Sequence, residues 1–354
     1  MNRLLSIAVI LFLSYKSIAQ PPAPDFTVTD VNGTTYHLYA DYLDQGKTFV
    51  IEFFFTTCPP CNAIAPYIPP LYESWGSGAG DVEFMAISVL STDSNQDAAD
   101  YQESHGHDFP AIGADGGAQA VVQTYMSGTW GPFEGTPTFV VIEPDGTVHF
   151  DVSGAGYQGT VDAVDAAIAA TGARRPYAIS VFARTPVNDT IRGYEVLLNE
   201  ESIGRVTLDT AGRFNTTVFL DADSTYTLSL QKDTLYNNGL STFDIIRMSK
   251  HILFIDTLDA PYQLLAADVN ASGGISTFDI IKNRKLILGV DTVLTTNNSW
   301  SFVRENYIFA TPENPYAEFY EGSPQKYIFV PSDIPNFNFI GIKIGDVNYS
   351  ANPD

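Results

Sequence analysis

Cysteine is almost missing from this chain: of 354 residues only Cys58 and Cys61 carry a thiol. A stapled small-domain scaffold needs several bridges, so that class is excluded. Basic residues are scarce as well, 18 Lys and Arg against 41 Asp and Glu, for a formal charge of −23. The shortage is sharpest over 21–173, where 20 acidic residues stand against one cation, Lys47. Nucleic acid and anionic membrane surfaces find no complementary face there, and neither is expected as a partner. No apolar run is long enough to hold a bilayer span, so no membrane span is expected either.

At the N-terminus, Arg3, an apolar stretch over 4–13 and Ser17-Ile18-Ala19 have the order of a secretory signal, with cleavage leaving Gln20 first. No cysteine follows that site, so a lipid anchor is not expected. The reading is an exported protein, periplasmic or extracellular.

The two cysteines form Cys58-Pro59-Pro60-Cys61, directly after the apolar run 49–57. A CxxC can be half of a zinc site, a structural staple or a redox pair. Zinc needs two further ligands, and the nearest histidines, His105-Gly106-His107, lack the usual spacing. A staple would constrain only two prolines. A redox pair fits a strand-to-helix junction, where free N–H groups and the helix dipole favour the first thiolate. Cys58 is then the exposed attacking thiolate and Cys61 the resolving thiol. Glu52, six residues earlier, is a candidate acceptor for the proton Cys61 must lose, provided it is buried; strand alternation could instead turn it to solvent. With Lys47 the only nearby cation, the helix terminus alone stabilises the thiolate, which predicts a pair toward the reducing end. Pro66, Pro69 and Pro70 predict a kink or early stop in the helix that starts at Pro59.

Composition changes at Gly172-Ala173-Arg174-Arg175-Pro176, where a domain boundary is placed. Before it, strand-like runs at 25–28, 49–55, 82–89, 138–142 and 147–152 alternate with helices near 59–75, 97–105, 118–125 and 160–170, predicting an α/β fold with a mixed sheet. After it, short runs at 178–182, 194–198, 203–208, 214–220 and 226–230 predict a small β-sandwich over 174–231. A mainly α repeat region is expected over 232–290 and a β/loop tail over 291–354.

The repeat is explicit. Residues 239–253 and 274–288 agree at 10 of 15 positions, offset by 35. Ahead of the second copy, Asp268, Asn270, Ser272 and Asp279 occupy positions 1, 3, 5 and 12 of an EF-hand-like loop, Gly273 sits at the turn, and the Gly274 carbonyl would fill position 7. Calcium is the natural ion. In the first copy the ligands would be Asp233, Asn237, the Gly239 carbonyl and Asp244, but Leu235 removes one donor and Asn238 replaces the glycine, so this site should be weaker. Asx-rich turns that bind nothing are the alternative. Asp346-Val347-Asn348 echoes the start of the second loop, with no position 12 after it. Ile245, Ile246, Ile252 and Leu253 match Ile280, Ile281, Ile287 and Leu288 as core positions of two amphipathic helices.

Over about 24–170 the chain resembles the thioredoxin-like exported thiol–disulfide oxidoreductases of the TlpA and ResA type. The carriers are Ala23-Pro24-Asp25-Phe26-Thr27-Val28 with the Asn32-Gly33 turn, the CxxC, Glu52 at the family's buried-acid position, and Gly135-Thr136-Pro137-Thr138. The resemblance implies that Pro137 is a cis-proline facing the dithiol and that Thr136 pairs with substrate backbone. Two departures bear on substrate choice: Thr57 stands where tryptophan usually precedes the first cysteine, and 127–134 reads as extra loop. Peroxiredoxins share the fold, but the threonine three residues before their attacking cysteine is Phe55 here. Over 233–289 the chain resembles a type I dockerin, which implies a calcium-stabilised module that docks a cohesin-like or cell-surface partner through Ser241-Thr242 and Ser276-Thr277.

Together these imply an exported oxidoreductase acting on protein thiols and disulfides, with no organic cofactor and structural calcium at its C-terminal end. The reading from another class is an extracellular calcium-binding adhesion or scaffold protein with secondary redox activity, and a thiol peroxidase is a third.

Overall fold

The computed structural model describes residues 20–205, 209 and 212–353. The signal read at 1–19 and the end of the strand expected over 203–208 lie outside the described residues. The chain divides into two compact units between Arg175 and Pro176, within the boundary expected from composition.

In the first unit, β1 (Thr27–Thr29) and β2 (Thr35–His37) pair as a hairpin. There follow β3 (Thr48–Phe54), α1 (Pro59–Ile64), α2 (Ile68–Ser74), β4 (Val82–Ser88), α3 (Asn95–His105), β5 (Ala111–Ile112), α4 (Ala118–Tyr125), β6 (Thr138–Ile142), β7 (Val148–His149) and α5 (Gly156–Ala170). The sheet runs β5-β4-β3-β6-β7, with β3 parallel to β4 and antiparallel to β6, the mixed sheet expected. The long helix read over 59–75 is broken at a short 3-10 turn, Ala65–Tyr67, that contains Pro66. Pro69 and Pro70 fall in the first turn of α2, where a missing N–H breaks no helical bond.

Strand β3 is central, and all seven of its residues are buried. Its alternation therefore separates two cores rather than core from water. Phe49, Ile51 and Phe53 pack with α4 and the N-terminal hairpin, whereas Val50 and Phe54 pack with Cys58, Cys61 and residues of α2, α3 and α5. Glu52, between Val50 and Phe54, belongs to the cysteine side.

The second unit contains β8 (Arg175–Arg184), β9 (Glu195–Leu198), β10 (Glu201–Arg205), β11 (Phe214–Leu220), β12 (Tyr226–Gln231), α6 (Thr242–Ile252), α7 (Pro261–Ala267), α8 (Thr277–Ile287), β13 (Trp300–Arg304), α9 (Tyr316–Tyr320), β14 (Tyr327–Phe329) and β15 (Phe337–Lys343). Two four-stranded sheets, β10-β9-β12-β14 and β11-β8-β15-β13, share one core. This corrects the division into a sandwich at 174–231, a repeat at 232–290 and a tail at 291–354. Strands β13, β14 and β15 belong to the same sandwich as β8 to β12, and the repeat is an insertion between β12 and β13. Without them β8 and β12 would present bare edges, which β15 covers in parallel and β14 in antiparallel register.

The helix faces also differ from the pattern expected. Of the eight expected core positions, Ile246, Leu253, Ile281 and Leu288 are exposed, with Phe243 and Phe278, and Ile245, Ile252, Ile280 and Ile287 are half-buried, while the buried positions are Asp244, Met248, Asp279, Asn283 and Leu286.

Candidate functional site

Cys58 ends the turn that follows β3. Asp93, itself buried, shapes that turn by accepting from Thr56 N at 2.9 Å and Ser88 Oγ at 2.8 Å. Cys58 then becomes the N-cap of α1, its extended backbone entering the helix and its Sγ accepting from Cys61 N at 3.2 Å. A sulfur in that place meets the free N–H groups of the first turn, the arrangement that stabilises a thiolate. Pro59 and Pro60 occupy the first turn, as expected. The two cysteines are joined in a disulfide, the oxidised state of the pair.

The Thr136-Pro137 peptide bond is cis, and Gly135 before it holds φ 141°, a backbone region that favours glycine. This turn brings Thr136 onto Cys58: its Oγ1 is 3.3 Å and its carbonyl oxygen 3.7 Å from Sγ. Cys58 is in consequence only 1% exposed, a correction to the expectation of an open thiolate. The cause is the late turn, which folds over the sulfur from almost eighty residues away.

Glu52 is 1% exposed and neither carboxylate oxygen has a hydrogen-bond partner. Burial alone pushes its pKa up to about 8, so near neutral pH it is poised between holding and releasing a proton. The solvent-facing alternative does not hold, because β3 has no solvent face. Lys47 donates to the Gly78 carbonyl at 2.7 Å.

In the second unit, the residues expected around the second loop are joined by hydrogen bonds. Asp268 Oδ1 accepts from Ser272 N at 2.9 Å and its Oδ2 from Gly273 N at 2.8 Å; Ser272 Oγ donates to the Gly274 carbonyl at 3.3 Å; Asp279 Oδ1 accepts from Asn270 N at 3.0 Å. Asn270 Oδ1 is buried without a partner. Ser241 and Ser276 are N-caps of α6 and α8, each in a capping box with the aspartate three residues on.

The first copy is built differently. Asp244 Oδ1 accepts from Val347 N at 3.0 Å, and the Gly239 carbonyl accepts from Ser350 Oγ at 3.0 Å. Asp346 Oδ2 accepts from Ala351 N at 2.7 Å, matching Asp268 and Gly273 at the same five-residue step. The fourth position of each segment, Ala271 and Tyr349, has positive φ, 56° and 60°. The segment 346–351 thus stands to Gly239 and Asp244 as 268–273 stands to Gly274 and Asp279. Asp233 instead accepts from Ser299 N at 2.9 Å and from the Tyr236 hydroxyl, and the Asn237 carbonyl accepts from Leu240 N at 3.2 Å. Asp233 and Asn237 thus have hydrogen bonds of their own, and the segment that meets Gly239 and Asp244 is the C-terminal one. The signal for it was present in the Asp346-Val347-Asn348 echo, whose position 12 lies upstream at Asp244. Among the described residues no three His, Cys, Asp or Glu side chains converge as a metal centre, so a cation in either loop would rest on two carboxylates and neutral oxygens. Nor does any helix among them have the length and apolarity to cross a membrane.

Comparison with known proteins agrees with the first unit. Residues 19–150 match the AhpC/TSA family. The thiol-disulfide oxidoreductase ResA of Bacillus thuringiensis (strain Al Hakam) is 31% identical over 132 residues, covering 37% of this chain and 68% of that protein. ResA of Bacillus subtilis (strain 168) is 30% identical over 145 residues, 41% of this chain and 73% of that protein. A thiol:disulfide interchange protein of the thioredoxin family from Chlorobium tepidum TLS, known as a crystal structure, aligns at 24% identity and TM-score 0.34, over 43% of this chain and 99% of its own. With a CxxC disulfide capping a helix, a cis-proline turn against its first sulfur and a buried acid on the strand that leads to it, the chain belongs to the AhpC/TSA redoxins and, among them, to the ResA-like thiol–disulfide oxidoreductases.

Proposed function

We propose that this oxidoreductase reduces protein disulfides outside the cytoplasm, and that its second unit binds calcium and docks a partner. The observation that carries the first part is the Cys58–Cys61 pair at the start of α1 beside the unpartnered Glu52. Cys58 thiolate attacks a substrate disulfide, forming a mixed disulfide and releasing one substrate thiolate. Cys61 gives its proton to Glu52 and attacks Cys58 Sγ, which releases the second substrate thiolate and leaves the enzyme disulfide. Two electrons pass from the dithiol to the substrate. Thr136, at the covering turn, is the backbone against which a substrate strand can pair. The reducing direction rests on the absence of a cation other than Lys47 over 21–173, which leaves the thiolate only the helix terminus. A titration in glutathione should give a potential at the reducing end; a value like that of strongly oxidising exported enzymes overturns the direction. Insulin reduction should be lost in Cys58→Ser, and equal turnover would end the dithiol mechanism. Export rests on the pattern at 1–19, and periplasmic or culture fractions should contain a chain that begins at Gln20.

Calcium is supported by the donor chemistry: two carboxylates, an amide, a hydroxyl and a carbonyl at EF-hand-like spacing, with Asn270 Oδ1 an orphaned buried acceptor. Asp268, Asn270, Ser272, the Gly274 carbonyl and Asp279 would hold one ion. Asp346, Asn348, Ser350, the Gly239 carbonyl and Asp244 are the corresponding set for the other. When bound, the ion supplies only cross-linking charge. Calorimetry with and without chelator should move the unfolding transition of the second unit; no shift, with none in Asp268→Ala, refutes it. Docking of a cohesin-like or cell-surface partner is the reading that would make the second unit an adhesion module. It is supported by apolar side chains exposed at equivalent positions of both helices, Phe243 with Phe278, Ile246 with Ile281 and Leu253 with Leu288. Phe243→Asp with Phe278→Asp should abolish binding of a purified cohesin domain while leaving insulin reduction intact.

A further inference from the structure

Beside β13 the second unit holds a cavity that neither the dithiol chemistry nor the exposed faces of α6 and α8 use. It measures about 380 Å³, inside the range of about 300 to 1,000 Å³ usual for ligand sites. One wall is the strand itself. Alternation sends Trp300 and Phe302 into the sandwich core and Val303 into the core built with the inserted helices, so Ser301 belongs to the helix side. Ser301 is only 8% exposed and lines the cavity, and among the described residues its hydroxyl has no hydrogen-bond partner. A serine so deeply placed normally spends its hydroxyl on a neighbour. Here the oxygen is left for whatever fills the cavity.

The other walls are polar and unspent in the same way. Asn297 is used within the protein: its amide donates to the Asp268 carbonyl at 3.1 Å, and its Oδ1 accepts from Asn298 N at 2.9 Å. That fixes the loop before β13 and leaves the side chains of Thr295 and Asn298 without a protein partner. Gln325 donates to the Phe319 carbonyl at 2.9 Å, so its Oε1 stays open. Asp233 Oδ1 accepts from Ser299 N at 2.9 Å and from the Tyr236 hydroxyl, and its Oδ2 stays open. The apolar part of the lining is Leu294 and Phe319, both buried, with the exposed ring of Tyr320. That ring is anchored, since its hydroxyl donates to Asp268 Oδ2 at 2.9 Å.

We propose that this cavity binds a neutral saccharide. Asp233 is the one charged side chain in the described lining. Phosphate, sulfate and carboxylate ligands therefore meet no counter-charge, and a single carboxylate is too little for a divalent ion. Hydroxyls, a carboxamide and two open acceptor oxygens beside an aromatic ring match a molecule that carries several adjacent hydroxyls and an apolar C–H face. Each sugar hydroxyl both donates and accepts: Asp233 Oδ2 and Gln325 Oε1 take its protons, Asn298 can supply one, and Ser301 and Thr295 can do either. Tyr320 offers its face to the C–H side. Because Asn297 and Tyr320 are tied to Asp268 beforehand, little of the wall has to be ordered on binding. The site is independent of the calcium and docking readings.

The test uses the full chain and a panel of neutral oligosaccharides built from glucose, mannose, galactose, xylose and N-acetylglucosamine, with a heparin fragment and a neutral hexapeptide as controls. Saturation-transfer NMR should detect at least one neutral sugar with a Kd near about 1 mM or tighter, and neither control. Thr295 and Asn298 hold nothing else in the protein, so Thr295→Ala with Asn298→Ala keeps the fold. This double variant should weaken binding at least tenfold, and Ser301→Ala about tenfold, at an unchanged urea midpoint and unchanged insulin reduction. No neutral sugar bound at about 10 mM, equal binding in these variants, or a preference for heparin or the peptide overturns the proposal.

Discussion

Both units bury carboxylates, but Glu52 of the first is treated in the opposite way to the four deepest aspartates of the second. In the first, Glu52 sits behind the disulfide with neither oxygen hydrogen-bonded, and burial raises its pKa to about 8. In the second, Asp244, Asp268, Asp279 and Asp346 are each 1% exposed or less, and every one accepts from backbone N–H groups. An acid without partners is free to exchange its proton, which is the property a resolving thiol requires. Acids ringed by N–H donors hold loops in place. The contrast lies in hydrogen bonding rather than in residue class, since Asp93 of the first unit is satisfied like the aspartates of the second.

The largest break in this contrast should come from removing a satisfied acid. Asp244→Ala leaves the buried Val347 N–H and the two capping donors of Ser241 without an acceptor and should destabilise the second unit by about 3 kcal/mol, read as a lower urea midpoint at unchanged insulin reduction. Glu52→Gln should do the reverse: the fold is kept while resolution of the mixed disulfide slows by about a hundredfold.

The pH dependence of stability gives Glu52 a further signature. Glu52 has its folded pKa raised from 4.5 to about 8, so below the lower value both states hold the proton and nothing depends on pH. Between the two values the unfolded chain releases it first, and stability falls by up to about 1.4 kcal/mol per pH unit, levelling off above about 8. Glu52→Gln should remove that decline, and a curve as steep as in the unaltered protein would place the titration elsewhere. The smallest effect is expected at Asp233, exposed and bonded to the Ser299 N–H alone among backbone donors: Asp233→Ala should cost about 1 kcal/mol, and a loss as large as in Asp244→Ala would return Asp233 to the first repeat.

Much of the redox unit was legible in the residues. The helices at 118–125 and the strand at 138–142 have the bounds read from periodicity, the CxxC begins a helix, and Thr136-Pro137 is the cis turn that the resemblance implied. The second unit was less legible. Its sandwich needed strands from beyond the repeat, and the first loop needed a partner segment more than a hundred residues away. Ile246 and Ile281 read as core but are exposed, because α6 and α8 turn Met248 and Leu286 inward instead.

What the amino-acid sequence determined by itself is local: where helices start, through Ser241 with Asp244 and Ser276 with Asp279, where prolines interrupt them, and where a thiol meets free N–H groups. Those outcomes depend on neighbours within a turn or two, so they can be read along the chain. Tertiary structure alone decided which distant groups meet. It stripped water from Glu52, laid Thr136 over Cys58, and closed the first repeat with Asp346 and Ser350. Burial and pairing at that range follow from how sheets complete their edges and cores exclude water, and a residue's own neighbours in sequence carry no record of that.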